Sequence, residues 1–183
     1  MRTSGAESLS VKGLAAVLLL AAAPVAAEVT AVAADGFVSE HTLTLRAETS
    51  RAYRALTDEV GAWWDASHSY SGEAANFSLD ARAGGCFCEA LPDGGSVEHM
   101  HVVFAQPGRQ LRMQGGLGPL QGMGISGSMT FELAPGEDGQ TVLRYRYVVS
   151  GASISSLAAL AEPVDQVQLG QLRRLAAYLA GEP

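Results

Sequence analysis

Two cysteines and two histidines stand at alternating positions on either side of a turn signal. Cys86 and Cys88 precede the dipeptide Asp93-Gly94, and His99 and His101 follow it. Asp-Gly is typical of a two-residue hairpin turn, because such a turn needs positive φ at both central positions. Thiolate and imidazole ligands in a set of four suit zinc, with copper as an alternative guest.

The predicted turn fixes which of these side chains face each other. Cys88 is opposite His99 and Cys86 is opposite His101, and the two-residue period of a strand places all four on one face. The spacing matches no standard zinc-finger pattern, and cysteine often packs as a small apolar residue. A disulfide within one strand would join Cα atoms about 6.5 to 7 Å apart, at the outer limit for bridging. Zinc binding, burial and an oxidised pair are therefore the three alternatives.

The opposite face of the same strands is predicted to be apolar and to line a ligand cavity. A two-residue turn at Pro107-Gly108 would pair Phe104 with Leu111 and Val102 with Met113. The predicted lining residues are Phe87, Glu89, Glu98, Met100, Val102, Phe104, Leu111 and Met113.

Glu89 and Glu98 lie directly opposite each other in this register. Like charges at such positions destabilise a strand pair by a few tenths of a kcal/mol or more. A shared proton, a cation or a polar ligand group would relieve the repulsion, and a carboxyl with a raised pKa could act as an acid or base. The alternative is that the hairpin end projects beyond the sheet and both carboxylates are hydrated.

The N-terminus has the pattern of a secretory signal peptide. Arg2 and Lys12 precede an apolar run over 14–23, and small residues follow at 24–27. This run is shorter than the roughly 20 apolar residues of a bilayer span. We expect a signal peptide at 1–27, a short flexible segment at 28–36, one domain at 37–183, and a periplasmic or secreted protein. Cleavage after Ala27 is favoured, with Ala33 or Ala34 as alternatives.

The composition argues against two classes of partner. The formal net charge is −7, and removing 1–27 takes away two basic residues and one acidic residue, which leaves 10 − 18 = −8. An acidic chain with scattered arginines favours neither nucleic acid nor an anionic membrane surface. No later segment of the sequence resembles a membrane span.

Hydrophobic periodicity predicts an α+β chain. Alternation indicates a strand over 37–47, two short helices follow at 49–56 and 60–64, and several strands occupy 76–149. From 153 to 180 the period changes to that of a helix, with Pro163 expected to split or kink it. The glycine-rich segment 115–124 lacks the Lys-Ser/Thr of a phosphate loop. We expect it to form a mobile loop between two strands that gates the cavity.

Three short motifs carry a family resemblance: AYRALT at 52–57, the tryptophans at 63–64, and AGGCFCE at 83–89. They resemble the AHxALT…WW…PGGRFxE pattern of the polyketide cyclase and heat-shock ATPase activator-like branch of the START-like (SRPBCC) helix-grip superfamily. Cys86 departs from the pattern, where a basic residue is common. The resemblance implies a curved antiparallel sheet of six to seven strands around a long C-terminal helix, with two short helices after the first strand.

The resemblance also implies a cavity for a hydrophobic or amphipathic ligand. The favoured function is therefore an exported, non-enzymatic binder of a small hydrophobic molecule, because no complete catalytic set is present. The alternatives are a cavity enzyme of the cyclase or hydrolase type that uses Glu89 or Glu98, and a zinc-binding module.

Overall fold

The computed structural model describes residues 1, 28–152, 154 and 156–182, so the signal segment predicted before Glu28 lies outside the described residues apart from Met1. The described chain forms eight strands, two short α-helices and one long α-helix, with five short 3-10 helices in the connections. The strands are β1 (Glu28–Ala33), β2 (Gly36–Leu45), β3 (Phe77–Leu79), β4 (Cys86–Ala90), β5 (Ser96–Gln106), β6 (Gln110–Gly115), β7 (Ser126–Pro135) and β8 (Thr141–Ser150), and the helices are α1 (Thr49–Asp58), α2 (Val60–Trp63) and α3 (Leu157–Ala180).

The strands form one curved antiparallel sheet in the order β1-β2-β8-β7-β6-β5-β4-β3. Helix α3 packs on β1, β2 and both short helices. Alternating residues of the central strands face it and are buried, as the sequence pattern predicts. This arrangement agrees with the predicted helix-grip architecture. Among the described residues, no helix is both long and apolar enough to cross a membrane.

The sheet has one more strand than the largest number predicted. The segment expected to be flexible at 28–36 forms β1 and a tight turn, and β1 pairs antiparallel with β2. Its alternation is weak because most of its side chains are exposed, which explains why the periodicity did not reveal it.

The β4–β5 hairpin departs from the predicted register over three residue pairs. Asp93 and Gly94 have φ of 61° and 80°, so the predicted turn is confirmed. The register shifts between Phe87 and Cys88, and Cys88 faces Glu98 instead of His99. His99 is thus the extra residue of a β-bulge. Cys86 still faces His101 and Phe87 faces Met100, as predicted.

The bulge turns His99 to the inner face and Glu98 to the outer face. His99 and Met100 are consecutive, yet both are buried, whereas Glu98 and His101 on either side are exposed. A regular strand with one exposed face would alternate instead. The Glu98 side chain is 58% exposed. The predicted pairing of Glu89 with Glu98 and the grouping of His99 with the cysteines were therefore wrong, because a single-residue shift exchanges the two faces.

A second bulge separates Phe104 from the cavity face. The loop after β5 spans three residues, and Gln106 pairs with Gln110. The register returns to the predicted one at Val102, which pairs with Met113. Phe104 consequently faces Arg112 and is 40% exposed, so its predicted place in the cavity wall was wrong.

Helix α3 is continuous through Pro163, which was expected to split or kink it. Pro163 lies in the second turn, where its missing N–H removes only one hydrogen bond of a long helix. The buried face runs through Leu157, Ala161, Asp165 and Leu169. The predicted apolar stripe coincides with this face only in part. Its members Leu157, Leu172 and Leu175 are buried, whereas Leu160, Val164 and Val167 are partly buried.

Candidate ligand cavity

A cavity of about 450 Å³ lies at the N-terminal half of α3. Its walls come from this helix, the segment 64–70 after α2, the segment 117–123 between β6 and β7, and one residue of β5. This volume suits a small organic ligand. The lining residues are Trp64, Ser67, His68, Ser69, Tyr70, His99, Leu117, Gly118, Pro119, Leu120, Met123, Leu160, Pro163, Val164, Val167 and Gln168.

The glycine-rich segment borders this cavity, as the gate prediction requires. Residues Gly118–Met123 form a short 3-10 helix, in which Leu120 is buried and Met123 is exposed. Ser67, His68 and Tyr70 are also exposed, so they mark the mouth together with Met123.

None of the eight residues predicted to line the cavity borders this space. Phe87 and Met113 instead line a much smaller void of about 20 Å³ deeper between sheet and helix. Met100, Val102 and Leu111 are buried in the hydrophobic core. The core packing fills the centre of the sheet, so the open volume lies at one end of the helix.

Glu89 and His99 form a buried pair beside the cavity. His99 Nε2 lies 3.0 Å from Glu89 Oε2. The carboxylate also accepts hydrogen bonds from the backbone N–H groups of Tyr70, at 3.1 Å, and Ser71, at 2.5 Å. The imidazole is packed among aromatic rings, with the Tyr70 and Phe77 rings stacked on it at 5.9 and 5.1 Å.

These surroundings set the charge of both groups. Burial acts to raise the pKa of the Glu89 carboxyl, but hydrogen bonds from Ser71, Tyr70 and His99 together outweigh it and lower the pKa. Burial lowers the pKa of His99, and the Glu89 carboxylate only partly offsets this. The pair is therefore an ionised carboxylate and a neutral imidazole near neutral pH. The raised carboxyl pKa expected for an acid/base role at Glu89 is contradicted, because three donors solvate the charge.

The four predicted metal ligands do not come together. Cys86 and Cys88 are joined by a disulfide, with their Cα atoms 5.3 Å apart. That separation is shorter than the roughly 6.6 Å of a regular strand and lies within the range for bridging. His101 shares the outer face, but His99 points inward. In the described part of the chain, no group of three or more His, Cys, Asp and Glu side chains could hold a metal ion.

A second buried polar cluster lies between β2 and α3. Asp165 Oδ1 accepts a hydrogen bond from Ser39 Oγ at 2.5 Å and lies 2.9 Å from His41 Nε2. The His41 ring stacks on Tyr145, whose hydroxyl donates to Gln168 Oε1 at 2.9 Å. His41 is itself buried within β2.

This cluster contains Ser, His and Asp but lacks the order of a catalytic triad. In a triad, one imidazole nitrogen faces the serine and the other faces the carboxylate. Here His41 Nε2 faces Asp165 and Ser39, whereas Nδ1 is buried with no hydrogen-bond partner in the part of the chain that the structure describes. Ser39 has no exposed surface. We therefore interpret the cluster as a structural link between sheet and helix.

Sequence reasoning missed Asp165 and Gln168, although a signal was present. Asp165 lies four residues from both Ala161 and Leu169, which places it on the same helix face. An acidic residue within an apolar stripe indicates a buried partner. The motif residues Trp63 and Trp64 are both buried and pack in the hydrophobic core.

No protein-family model matches the chain, and no curated protein matches it in sequence. Solved structures do match it. A Rhodobacter sphaeroides protein is 20% identical with a TM-score of 0.57, over 84% of this chain and 97% of that one. DynU16, a protein in the dynemicin biosynthetic locus, is 18% identical with a TM-score of 0.56, over 80% of this chain and 48% of that one. The Mll3558 protein from Rhizobium loti is 23% identical with a TM-score of 0.54, over 78% of this chain and 97% of that one.

These similarities show the fold alone. Identities of this size do not carry an activity or a ligand from one chain to another. They agree with the helix-grip architecture predicted from the motifs.

Proposed function

We propose that the protein is an exported binder of a small hydrophobic or amphipathic molecule, held in the cavity beside α3. The supporting observation is that Leu160, Val164 and Val167 are apolar and only partly buried, and that all three border the open volume of the cavity. Leu160 and Val164 pack against the hydrophobic core on one side and border the cavity on the other. Contiguous apolar surface that lines a cavity is typical of a ligand site.

The segment opposite the helix supports the same reading. Leu117 and Leu120 line the cavity from the glycine-rich segment, and Trp64 lines both this cavity and the smaller void beneath the sheet. A ligand would therefore be enclosed by apolar side chains on several sides. Export is part of the proposal and rests on the N-terminal sequence pattern.

A fluorescent probe tests the binding. N-Phenyl-1-naphthylamine is neutral and apolar, and its emission rises when it leaves water. We expect saturable binding by the wild-type protein and a loss of affinity of about tenfold or more in Val167→Trp, because indole would fill the cavity. Val103→Trp makes the same change at an exposed position of β5 and should bind like wild type.

The opposite outcomes would overturn the proposal. A wild-type protein that does not raise the emission of the probe has no functional apolar cavity. Equal affinity in Val167→Trp and Val103→Trp would place the bound probe elsewhere. If the probe does bind in the cavity, native mass spectrometry of the protein from its export compartment would detect the natural ligand as a retained mass.

A further inference from the structure

Two buried polar side chains interrupt the apolar wall of the cavity. His99 and Gln168 line it and are 3% and 4% exposed. Gln168 Oε1 accepts a hydrogen bond from the Tyr145 hydroxyl, so the protein already fixes the orientation of this amide. His99 is different, because its Nδ1 atom has no hydrogen-bond partner within the described ranges of the chain.

The hydrogen bonds of Glu89 fix the tautomer of His99. A neutral imidazole has one N–H donor and one acceptor nitrogen. Glu89 is an ionised acceptor that already receives two backbone N–H groups, so the contact at 3.0 Å requires the proton on His99 Nε2. His99 Nδ1 is then an acceptor, and it is buried without a hydrogen-bond partner among the described residues. An unsatisfied buried acceptor costs free energy that a donor from a ligand can recover.

We infer that His99 determines the specificity of the cavity, and that its Nδ1 atom accepts a hydrogen bond from a hydroxyl group on an otherwise apolar ligand. Glu89 is a positioning residue, because it acts by holding the imidazole in the accepting tautomer. This inference rests on the proposed function and names the ligand class: a hydrophobic molecule with a hydroxyl head group.

A matched pair of ligands isolates the hydroxyl. 2-Naphthol and 2-methoxynaphthalene differ only by the methyl group that removes the donor. Isothermal titration calorimetry on the wild-type protein should show about tenfold tighter binding of 2-naphthol. In His99→Phe the two dissociation constants should become equal, with that of the ether unchanged. Phenylalanine keeps a ring of similar shape among the neighbouring aromatic side chains.

The conservative variant Glu89→Gln provides a second test that does not remove the imidazole. The shorter of the two backbone contacts, from Ser71 N–H to the Oε1 position, favours the carboxamide oxygen at that position. The NH₂ group then takes the Oε2 position, where it faces His99 Nε2 as well as the Tyr70 N–H. The imidazole must then accept at Nε2 and carry its proton on Nδ1. Preference for 2-naphthol should be lost, and the ¹⁵N chemical shifts of His99 should report the exchanged tautomer. A structural role alone would not move those shifts.

The outcomes separate this inference from the proposed function. Equal binding of both naphthalenes by wild type, or a preference that persists in His99→Phe, would overturn the inference and leave the cavity as an apolar binder. A wild-type protein that binds neither naphthalene nor N-phenyl-1-naphthylamine would overturn both.

Discussion

His41 Nε2 lies 2.9 Å from Asp165 Oδ1, and this contact joins strand β2 to helix α3 within the core. Ser39 donates to the same oxygen. The three side chains are almost fully buried, so each depends on the others for its hydrogen bonds.

Replacing Asp165 should therefore destabilise the fold. Asp165→Ala leaves a buried hydroxyl and a buried imidazole without their acceptor, and we expect the free energy of unfolding to fall by about 3 to 5 kcal/mol. Asp165→Asn keeps a hydrogen-bond acceptor, so its free energy of unfolding should fall by less. Urea denaturation measures both variants, with the exposed Glu162→Ala on the same helix as the control. Asp165→Ala as stable as this control would contradict the structural link.

Acidification should destabilise the protein through both Glu89 and His99, because folding lowers the pKa of each side chain. The contribution of His99 is complete above its unfolded pKa, about 6.5, and is lost as the pH falls towards its lowered folded pKa. The contribution of Glu89 is lost at lower pH, beginning near its unfolded pKa of about 4.3.

Urea unfolding at a series of pH values tests this sign. Between about pH 6.5 and pH 5, the free energy of unfolding should fall less steeply in His99→Phe than in wild type. His101→Phe is the matched control, because that side chain is 49% exposed. The same slope in all three proteins would argue against a neutral, buried His99.

The glycine-rich segment should control access to the cavity, and its position depends on close packing at Gly116. A Cβ atom there would lie 2.5 Å from the Ile125 carbonyl oxygen and 2.6 Å from Gln121 Cα, so Gly116→Ala must displace the segment. We expect several-fold weaker binding of N-phenyl-1-naphthylamine. Gly122→Ala adds the same methyl group in open space and should bind normally. Equal affinities would show that the segment does not shape the site.

The two cysteines should be unreactive in the purified protein. Because Cys86 and Cys88 form a disulfide, iodoacetamide should add no mass before reduction and two adducts afterwards. If the reduced protein takes up zinc, His99→Phe should not change the amount, because His99 faces inward. Zinc uptake that disappears in this variant would restore the four-ligand site. Native mass spectrometry measures both quantities.

Export can be tested at the N-terminus. We expect the exported protein to begin between Glu28 and Asp35. Cleavage after Ala27 would leave β1 whole, whereas cleavage after Ala33 would remove it from the sheet edge. N-terminal sequencing of the exported fraction decides between these sites. Met1 retained there would refute cleavage.

Periodicity was sufficient where each strand keeps a regular register. Leu143, Tyr145, Tyr147 and Val149 alternate in the sequence and are all buried. It failed at His99 and Phe104, because a bulge depends on backbone conformation that the apolar pattern does not encode. The position of the cavity also escaped prediction, since it depends on which core side chains fill the space beneath the sheet.

The bulge in β5 makes the chemistry of the site depend on chain length as well as residue type. Deleting His99 would leave a regular strand pair in which Glu98 still faces Cys88 on the outer face, and the strand order would be unchanged. Glu89 would become a buried anion without its imidazole partner, and the cavity would lose its polar acceptor. Chains with the same fold could therefore differ in ligand preference through a single codon insertion or deletion, a difference that residue-by-residue comparison of aligned positions would overlook.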